Sequence, residues 1–182
     1  MWYLVIVCAI KFDFIEIGTS NFDTLLQEKA GVGLSVEALD IYLRDLPDNP
    51  NVTKVNNVII DDYLVSSHPV VPFFFVHPDN IKKYKLPWWI KGCNTAYAPH
   101  YEAMELLTRK RLQTVMEKTL VPSSSYLKLL ATYKVDKINI LKLDMEGFEF
   151  PVLEEALHTC KTTSICPSSI IYESKHMARR NI

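Results

Sequence analysis

Short runs of β-branched and aromatic residues alternate with amphipathic stretches along this chain. This alternation is typical of βαβ units built around a mostly parallel sheet. The strand-like runs predict five strands, over residues 12–17, 33–37, 52–60, 137–143 and 169–173. The amphipathic stretches predict helices over residues 21–29, 38–46, 123–133 and 151–157. We therefore expect an α/β fold with a mostly parallel sheet.

The alternation stops between about residues 61 and 119. Prolines interrupt this segment repeatedly, and aromatic residues crowd residues 73–75 and 88–89. A segment this long inside a compact domain is more often functional than not. We interpret residues 61–119 as an insertion on the substrate side of the fold, with one or two added strands.

Residues 1–11 read as an apolar N-terminal extension. The apolar run covers residues 1–10, whereas a helix that spans a bilayer needs about 20 such residues. We expect no spanning segment here. No basic region precedes the run and no convincing cleavage site follows it, although a signal or anchor role stays open. We expect residues 12–182 to form one domain of a cytoplasmic protein.

Composition and charge narrow the classes of partner. The chain has 20 basic and 21 acidic side chains, so no global field attracts nucleic acid. A hydrophobic fraction of 48% is ordinary for a globular domain. The four cysteines contain no C-x-x-C pair, which argues against a zinc ribbon or a thioredoxin motif. We expect reduced, structural thiols and a small-molecule partner rather than nucleic acid.

The first candidate site is the turn after the first predicted strand, with the sequence EIGTSNFD over residues 16–23. Ligands of open α/β sheets bind beyond the carboxyl ends of the strands, where this turn must lie. Glu37 ends the second predicted strand, where a carboxylate can accept both ribose hydroxyls of an adenosine. A lone carboxylate at a strand end is usually only solvated, but the turn before it indicates a nucleoside cofactor.

The composition of this turn distinguishes between nucleoside cofactors. A dinucleotide fingerprint needs a second and a third glycine, and Ser20 and Asp23 stand at those positions. NAD is therefore disfavoured. S-adenosylmethionine has no phosphate, so polar Thr19, Ser20 and Asn21 could line its turn without steric conflict. A helix-capping role for Thr19 or Ser20 is compatible with this.

The second candidate site follows the fourth predicted strand and contains Asp144, Glu146 and Gly147. Carboxylates at i and i+2 of an extended segment project to the same side, and a glycine permits a tight turn after them. Clustered acids repel each other, which favours a functional role. The alternative is attraction of acids to a helix N-terminus, which suits Glu149 better than Asp144. The pair could bind Mg²⁺ through oxygen ligands, but we expect no metal.

At this second site the chain resembles a known family. Residues 135–149, VDKINILKLDMEGFE, followed by Val152 and Leu153, resemble the vdxlKiDxEGxExxvL signature of FkbM-type methyltransferases. Residues 14–18 with Asp23 are similar to motif I of that family, and Glu37 with the residue before it is similar to motif II. Residues 86–94, LPWWIKGCN, resemble a segment that precedes a histidine in one branch of the family, here His100. The resemblance covers most of the chain, from about residue 12 to residue 173.

The resemblance implies a class I, three-layer Rossmann-like fold that binds S-adenosylmethionine. Two departures accompany it. Phe22 stands where many family members have a second glycine in motif I. The C-terminal strands of the family, a terminal hairpin, are missing after residue 173. We therefore expect a sheet that is short at one edge, which is either exposed or covered in a homo-oligomer.

Together these features predict an O-methyltransferase of a small hydroxylated or sugar-like acceptor. The protein must align the reactants and supply a base for the hydroxyl proton. Glu146 is our first choice for the base, ahead of Asp144 and His100. The predicted acceptor residues are Trp88, Trp89 and Asn94. The predicted cofactor residues are Glu16, Gly18, Thr19, Ser20, Asn21, Asp23, Glu37 and Asp144.

Two other functions stay open from the sequence. Phe22 and the short C-terminus are compatible with a Rossmann-like protein that binds the cofactor without catalysis. Glu37 would also serve an NAD-dependent oxidoreductase, although the glycine count argues against one. Turnover separates the first alternative from an enzyme, since both would bind S-adenosylmethionine.

Overall fold

A computed structural model describes residues 10–19, 24–28 and 31–172 of the chain. In these ranges the strands are β1 (Ile10–Ile17), β2 (Gly33–Glu37), β3 (Val52–Asn56), β4 (Val58–Ile59), β5 (Val70–Val76), β6 (Thr95–Ala96), β7 (Met116–Ser124), β8 (Val135–Leu143) and β9 (Ser169–Tyr172). The α-helices are α1 (Asp40–Asp45), α2 (Asp62–Ser67), α3 (Pro78–Lys83), α4 (Tyr101–Arg109), α5 (Tyr126–Thr132) and α6 (Glu149–Thr162). Short 3₁₀ helices cover Leu25–Glu28, Trp88–Gly92 and Gln113–Val115.

The main sheet has five strands in the order β3-β2-β1-β8-β9. Every neighbouring pair in it is parallel. The α/β prediction with a mostly parallel sheet is confirmed. Because the chain order reverses at β1, the crevice for a ligand opens at the carboxyl ends of β1 and its neighbours. There Ile17 of β1 stands level with Val36 of β2 and Leu143 of β8.

Helices cover both faces of this sheet, which gives the three layers of a Rossmann-like fold. On one face Phe14 packs with Leu25 and Leu26 of the first 3₁₀ helix and with Leu43 of α1. A larger core occupies the other face. It joins β1 and β8 to the apolar sides of α5 and α6, through Ile15, Leu141, Tyr126, Leu129, Val152 and Ala156.

A second sheet of four strands, in the order β4-β7-β5-β6, lies beside the first. β5 pairs antiparallel with β6 and β7, while β4 is parallel to β7. The prediction of one strand over residues 52–60 is therefore wrong: β3 belongs to the main sheet and β4 to the second. The side-chain amide of Asn56 donates to the carbonyls of Glu37 and Ala38, at 3.2 and 2.8 Å. These bonds end β3 and turn the chain toward the second sheet.

The segment from residue 61 to residue 119 is ordered rather than loop-like. It contains β5, β6 and the first part of β7, where we expected one or two strands. It also has its own apolar core, formed by Val76, Leu86, Ile90, Ala103 and Leu107. That core fixes the Trp88–Gly92 turn above the carboxyl edge of the main sheet.

Several predicted boundaries shift. β1 begins at Ile10 and so includes two residues of the predicted extension. The helix expected over residues 123–133 begins at Tyr126, because Ser123 and Ser124 complete β7. Ser125 caps that helix by accepting the Lys128 amide at 3.2 Å.

The last helix and the first predicted helix also differ from expectation. α6 begins at Glu149, so Pro151 does not start it but lies in its first turn, where no intrahelical donor is lost. Of the helix expected over residues 21–29, the structure describes only the 3₁₀ turn Leu25–Glu28. The rest of that prediction lies outside the described residues.

Within the described residues, β9 is at the edge of the main sheet, and Ile171 and Tyr172 are exposed on it. The strand expected over residues 169–173 is described as far as Tyr172. A homo-oligomer that covers this edge stays a prediction. No helix in the described part of the chain is long and apolar enough to cross a bilayer.

Cys160 at the end of α6 forms a disulfide with Cys166. The expectation of reduced thiols is wrong for this pair, although Cys93 is a buried free thiol. The cytoplasmic location stays a prediction.

Candidate functional site

A cavity of about 300 Å³ opens where the carboxyl ends of β1, β2 and β8 meet the second sheet. The main sheet contributes its polar strand ends to this cavity, and the segment 61–119 contributes an aromatic and basic side. Predicted site residues that line it are Gly18, Thr19, Glu37, Trp88, Trp89, Asn94, Asp144 and Glu146. The fold thus brings together residues from both predicted sites and from the predicted insertion.

The turn after β1 brings two strands into close contact. Gly18 has a φ of +71°, and a Cβ at this position would overlap the main-chain carbonyl oxygen of Asp144. The Asp144 amide donates to the Ile17 carbonyl at 2.9 Å. Only glycine fits both the backbone conformation and the space here. As a result, Asp144 lies directly beside the start of the turn that follows β1.

Glu16 has a different environment from the one we predicted. Its carboxylate is fully buried and accepts the Thr24 hydroxyl at 2.6 Å, the Leu25 amide at 2.9 Å and the Ser35 hydroxyl. Glu16 does not line the cavity. It instead connects β1 to β2 and to the 3₁₀ helix after the turn, so we assign it a structural role. Predicted cofactor residues Ser20, Asn21 and Asp23, with Phe22, lie outside the described residues.

Glu37, by contrast, lines the cavity at the end of β2. One carboxylate oxygen accepts the Leu39 amide at 2.8 Å and the other accepts the Thr19 amide at 3.3 Å. Burial raises the pKa of Glu37 to about 7, although these amide donors and the positive charge of Lys91 oppose the rise. Each oxygen has a further lone pair, so the carboxylate can still accept hydroxyl donors from the cavity.

Three residues that line the cavity each have a buried side-chain oxygen with no hydrogen-bond partner among the described residues. These oxygens are the Thr19 hydroxyl and the side-chain carbonyls of Asn57 and Asn94. Buried polar atoms are normally paired, so these three atoms point to a polar ligand. Sequence analysis missed Asn57, because its position depends on the break between β3 and β4.

The segment Asp144–Gly147 is a turn and not an extended continuation of β8, which ends at Leu143. Glu146 and Gly147 both have a left-handed backbone, with φ of +51° and +108°. The alternation argument for Asp144 and Glu146 is therefore wrong, although both residues line the cavity. Strained backbone of this kind at a non-glycine residue is often found at functional sites.

Glu149 holds this turn in place. Its fully buried carboxylate accepts the Met145 amide at 2.7 Å and the Gly147 amide at 2.9 Å. It is also the first residue of α6, where a negative charge is favoured by the helix dipole. These contacts agree with the structural interpretation of Glu149 and show how the turn keeps Glu146 in its left-handed conformation.

Glu146 pairs with His100. The Nε2 atom of His100 lies 3.3 Å from Oε2 of Glu146, and the two side chains are only 7% and 12% exposed. His100 caps the N-terminus of α4 and does not itself line the cavity. The Oε1 atom of Glu146 lies near Gly92 on the cavity side, 3.6 Å from where a Cβ of that glycine would be. Glu146 thus faces the cavity, with His100 behind it.

The segment 88–94 forms the outer wall of the cavity. Trp88 is 71% exposed and Trp89 is 36% exposed, so both offer open aromatic surface at the mouth. The Asn94 amide donates to the Lys91 carbonyl at 2.8 Å. Lys91, which sequence analysis did not select, places its ammonium 4.9 Å from the ring centre of Tyr42. Burial raises the pKa of the Tyr42 phenol, helped by the nearby carboxylate of Glu37.

The Mg²⁺ site considered from the sequence would use two carboxylates, those of Asp144 and Glu146. Within the described residues, no group of three or more histidine, cysteine, aspartate or glutamate side chains gathers as metal ligands. Among the described residues that line the cavity, the charged groups are the carboxylates of Glu37, Asp144 and Glu146 and the ammonium of Lys91.

Comparison with known proteins supplies the family. The family model of the FkbM methyltransferase domain matches residues 32–180. No curated protein and no solved structure matches the chain. The matched range contains Glu37, His100, Asp144, Glu146 and Glu149, whose geometry is described above. Since it also covers most of the 182 residues, this chain belongs to the FkbM methyltransferase family.

Proposed function

We propose that this protein transfers a methyl group from S-adenosylmethionine to a hydroxyl oxygen of a small hydroxylated or sugar-like acceptor. The observation that carries the proposal is a single cavity with two differently built carboxylates. Glu37 lies at the Gly18–Thr19 turn with two main-chain amide donors, whereas Glu146 lies at the opposing segment with His100 behind it. One carboxylate suits cofactor binding and the other suits proton removal.

The residues at the strand ends fit the cofactor. In our proposal Glu37 accepts the ribose hydroxyls, and the unpartnered carbonyl of Asn57 accepts the exocyclic amine of adenine. Asp144, beside the Gly18 turn, accepts the ammonium of the amino acid tail. The apolar walls formed by Ala38 and Val58 suit the purine ring. When bound, S-adenosylmethionine supplies a methyl group on a cationic sulfonium.

On the acceptor side, Glu146 takes the hydroxyl proton. The imidazole of His100, whose Nε2 lies 3.3 Å from Oε2 of Glu146, holds this side chain from behind. Oε1, on the Gly92 side, is then left for the acceptor proton. Trp88 and Trp89 provide large apolar surface to align the acceptor. His100 is therefore a positioning residue for the base.

Two measurements test the proposal in sequence. Titration calorimetry with S-adenosylhomocysteine must show binding to the wild type, and the same titration with NAD must show none. Transfer of a labelled methyl group into a panel of polyols, sugars and catechols then tests turnover. Cofactor binding without transfer to any member of the panel would support the inactive alternative.

Glu146→Gln tests the role of the base within the same assays. The variant should lose about 10²- to 10⁴-fold in single-turnover transfer rate, the usual contribution of a general base. It should bind S-adenosylhomocysteine as tightly as the wild type. Glu154→Gln, at an exposed position on α6, is the matched control and should behave as the wild type. A variant that loses cofactor affinity instead would place Glu146 in the cofactor site.

A further inference from the structure

A second groove, of about 350 Å³, opens directly beside the cavity. Trp88 and Lys91 line both spaces, so the groove continues the cavity mouth. Its charged residues are Lys82, Lys85 and Lys91, with one carboxylate from Asp45. The groove is therefore positively charged and has an aromatic border, although the chain as a whole has a net charge of −1.

Two of the three lysines of this groove, Lys82 and Lys85, form no ion pair among the described residues. Lys82 and Lys85 are exposed, and among the described residues neither has a carboxylate within 4.0 Å. Like charges that converge on one groove repel each other, which an anionic ligand would relieve.

Lys85 occupies a backbone position that favours glycine. It follows α3 with a φ of +49°. The Leu86 amide donates to the Ile81 carbonyl at 2.9 Å, and the Lys85 amide donates to the Lys82 carbonyl at 3.3 Å. This is the hydrogen-bond pattern of a Schellman motif, in which glycine is the usual residue at the left-handed position. A lysine here costs conformational energy, and its side chain lines the groove.

We propose that the acceptor carries an anionic group, such as a phosphate, sulfate or carboxylate, that binds in this groove to Lys82, Lys85 and Lys91. The body of the acceptor covers the exposed ring of Trp88, and its hydroxyl reaches Glu146 in the adjoining cavity. The inference deepens the proposed function and depends on it for the role of the ligand as acceptor. It names the class of substrate: a hydroxylated molecule with a negative charge beside an apolar or ring portion.

A matched series of probes tests the inference: 1-naphthyl phosphate, 1-naphthyl sulfate and neutral 1-naphthol. Calorimetry is carried out with and without S-adenosylhomocysteine. Both anions should bind at least about tenfold more tightly than 1-naphthol at low salt, and the difference should shrink as salt screens the lysines. Equal affinity of the three probes, or no measurable binding of either anion, would overturn the inference.

Charge reversal locates the binding. Lys82→Glu/Lys85→Glu should abolish the advantage of the anions. The control Lys128→Glu/Lys137→Glu, which reverses two exposed lysines elsewhere, should retain it. Equal losses in the two double variants would overturn the inference. S-adenosylhomocysteine must bind together with the anion, because displacement of one by the other would assign the groove to the cofactor.

Lys85→Gly separates the ligand role from a structural one. Glycine fits the left-handed backbone better, so the variant should melt at a higher temperature than the wild type while it binds 1-naphthyl phosphate more weakly. A more stable variant with unchanged anion affinity would contradict the proposal. If S-adenosylhomocysteine does not bind the wild type, the proposed function is wrong. The anion affinities of the lysine variants would still show whether the groove binds anions.

Discussion

Glu37→Gln should change the pH dependence of the stability of this protein. Burial raises the pKa of Glu37 in the folded chain from 4.5 to about 7. In this pH interval the folded state therefore holds a proton that the unfolded chain releases. The contribution of this group to stability is fully present below about pH 4.5 and is lost as the pH rises through about 7.

The size of the effect follows from the shift. One pKa unit corresponds to about 1.4 kcal/mol, so this shift corresponds to about 3 kcal/mol of stability lost between about pH 4.5 and pH 7.5. Glutamine has no charge to lose and removes that dependence. The side-chain NH₂ of glutamine would also face the main-chain amide of Leu39 or Thr19, so that two donors meet. This costs about 1 to 3 kcal/mol at every pH. The variant should therefore have a lower free energy of unfolding than the wild type at pH 5, and this difference should become smaller as the pH rises.

Urea denaturation of the ligand-free protein at intervals from pH 5 to pH 8.5 measures this difference. The free energy of unfolding of Glu37→Gln, relative to wild type, should rise by about 2.5 kcal/mol over the range. The exposed control Glu154→Gln should follow the wild type in parallel. If the free energies of unfolding of Glu37→Gln and wild type differ by the same amount at all pH values, the raised pKa of Glu37 is wrong. Affinity for S-adenosylhomocysteine should also increase with pH in the wild type and lose this dependence in the variant.

Other substitutions test the geometry of the site. Gly18→Ala should lower the free energy of unfolding by at least about 1 to 3 kcal/mol, because the alanine Cβ would overlap the Asp144 carbonyl and the backbone there is left-handed. An unchanged urea midpoint would contradict this close contact. Glu149→Ala leaves the Met145 and Gly147 amides without their acceptor. It should lower both the single-turnover rate of methyl transfer and the free energy of unfolding measured in urea. Full activity would show that the turn keeps its conformation without Glu149. Hydrogen exchange with S-adenosylhomocysteine should show protection at residues 88–94 as well as at the ends of β1 and β2, and no change anywhere in residues 69–100 would argue against that segment as part of the site.

Local sequence patterns determined where the strands of the main sheet lie in the chain. The alternation of short apolar runs with amphipathic stretches depends only on the periods of strand and helix. It predicted the five strands of the main sheet, although the third prediction, residues 52–60, wrongly ran on into β4 of the second sheet. The carboxyl ends of parallel strands meet at one edge by construction. For this reason Gly18, Glu37 and Asp144 could be assigned to one site from the sequence.

The tertiary structure decided which carboxylates line the cavity. Glu16, Glu37 and Glu146 are the same residue type at strand ends or turns, and the sequence did not separate Glu16 from the two that line the cavity. Glu16 and Glu149 are saturated by hydroxyl and amide donors that come from other elements. Glu37 and Glu146 line the cavity. The division depends on donors brought together across the chain, which periodicity does not encode.

The same reason explains the residues that sequence analysis missed. Asn57 reaches the cavity because the chain leaves one sheet for another at that point, and the β4–β7 pairing that causes the break joins residues far apart in sequence. Lys91 and the Lys82–Lys85 groove look like ordinary surface lysines in the sequence. Local patterns determined where the strands and the cofactor edge lie, whereas long-range packing decided which polar side chains meet there, because burial and hydrogen-bond partners are properties of the folded chain.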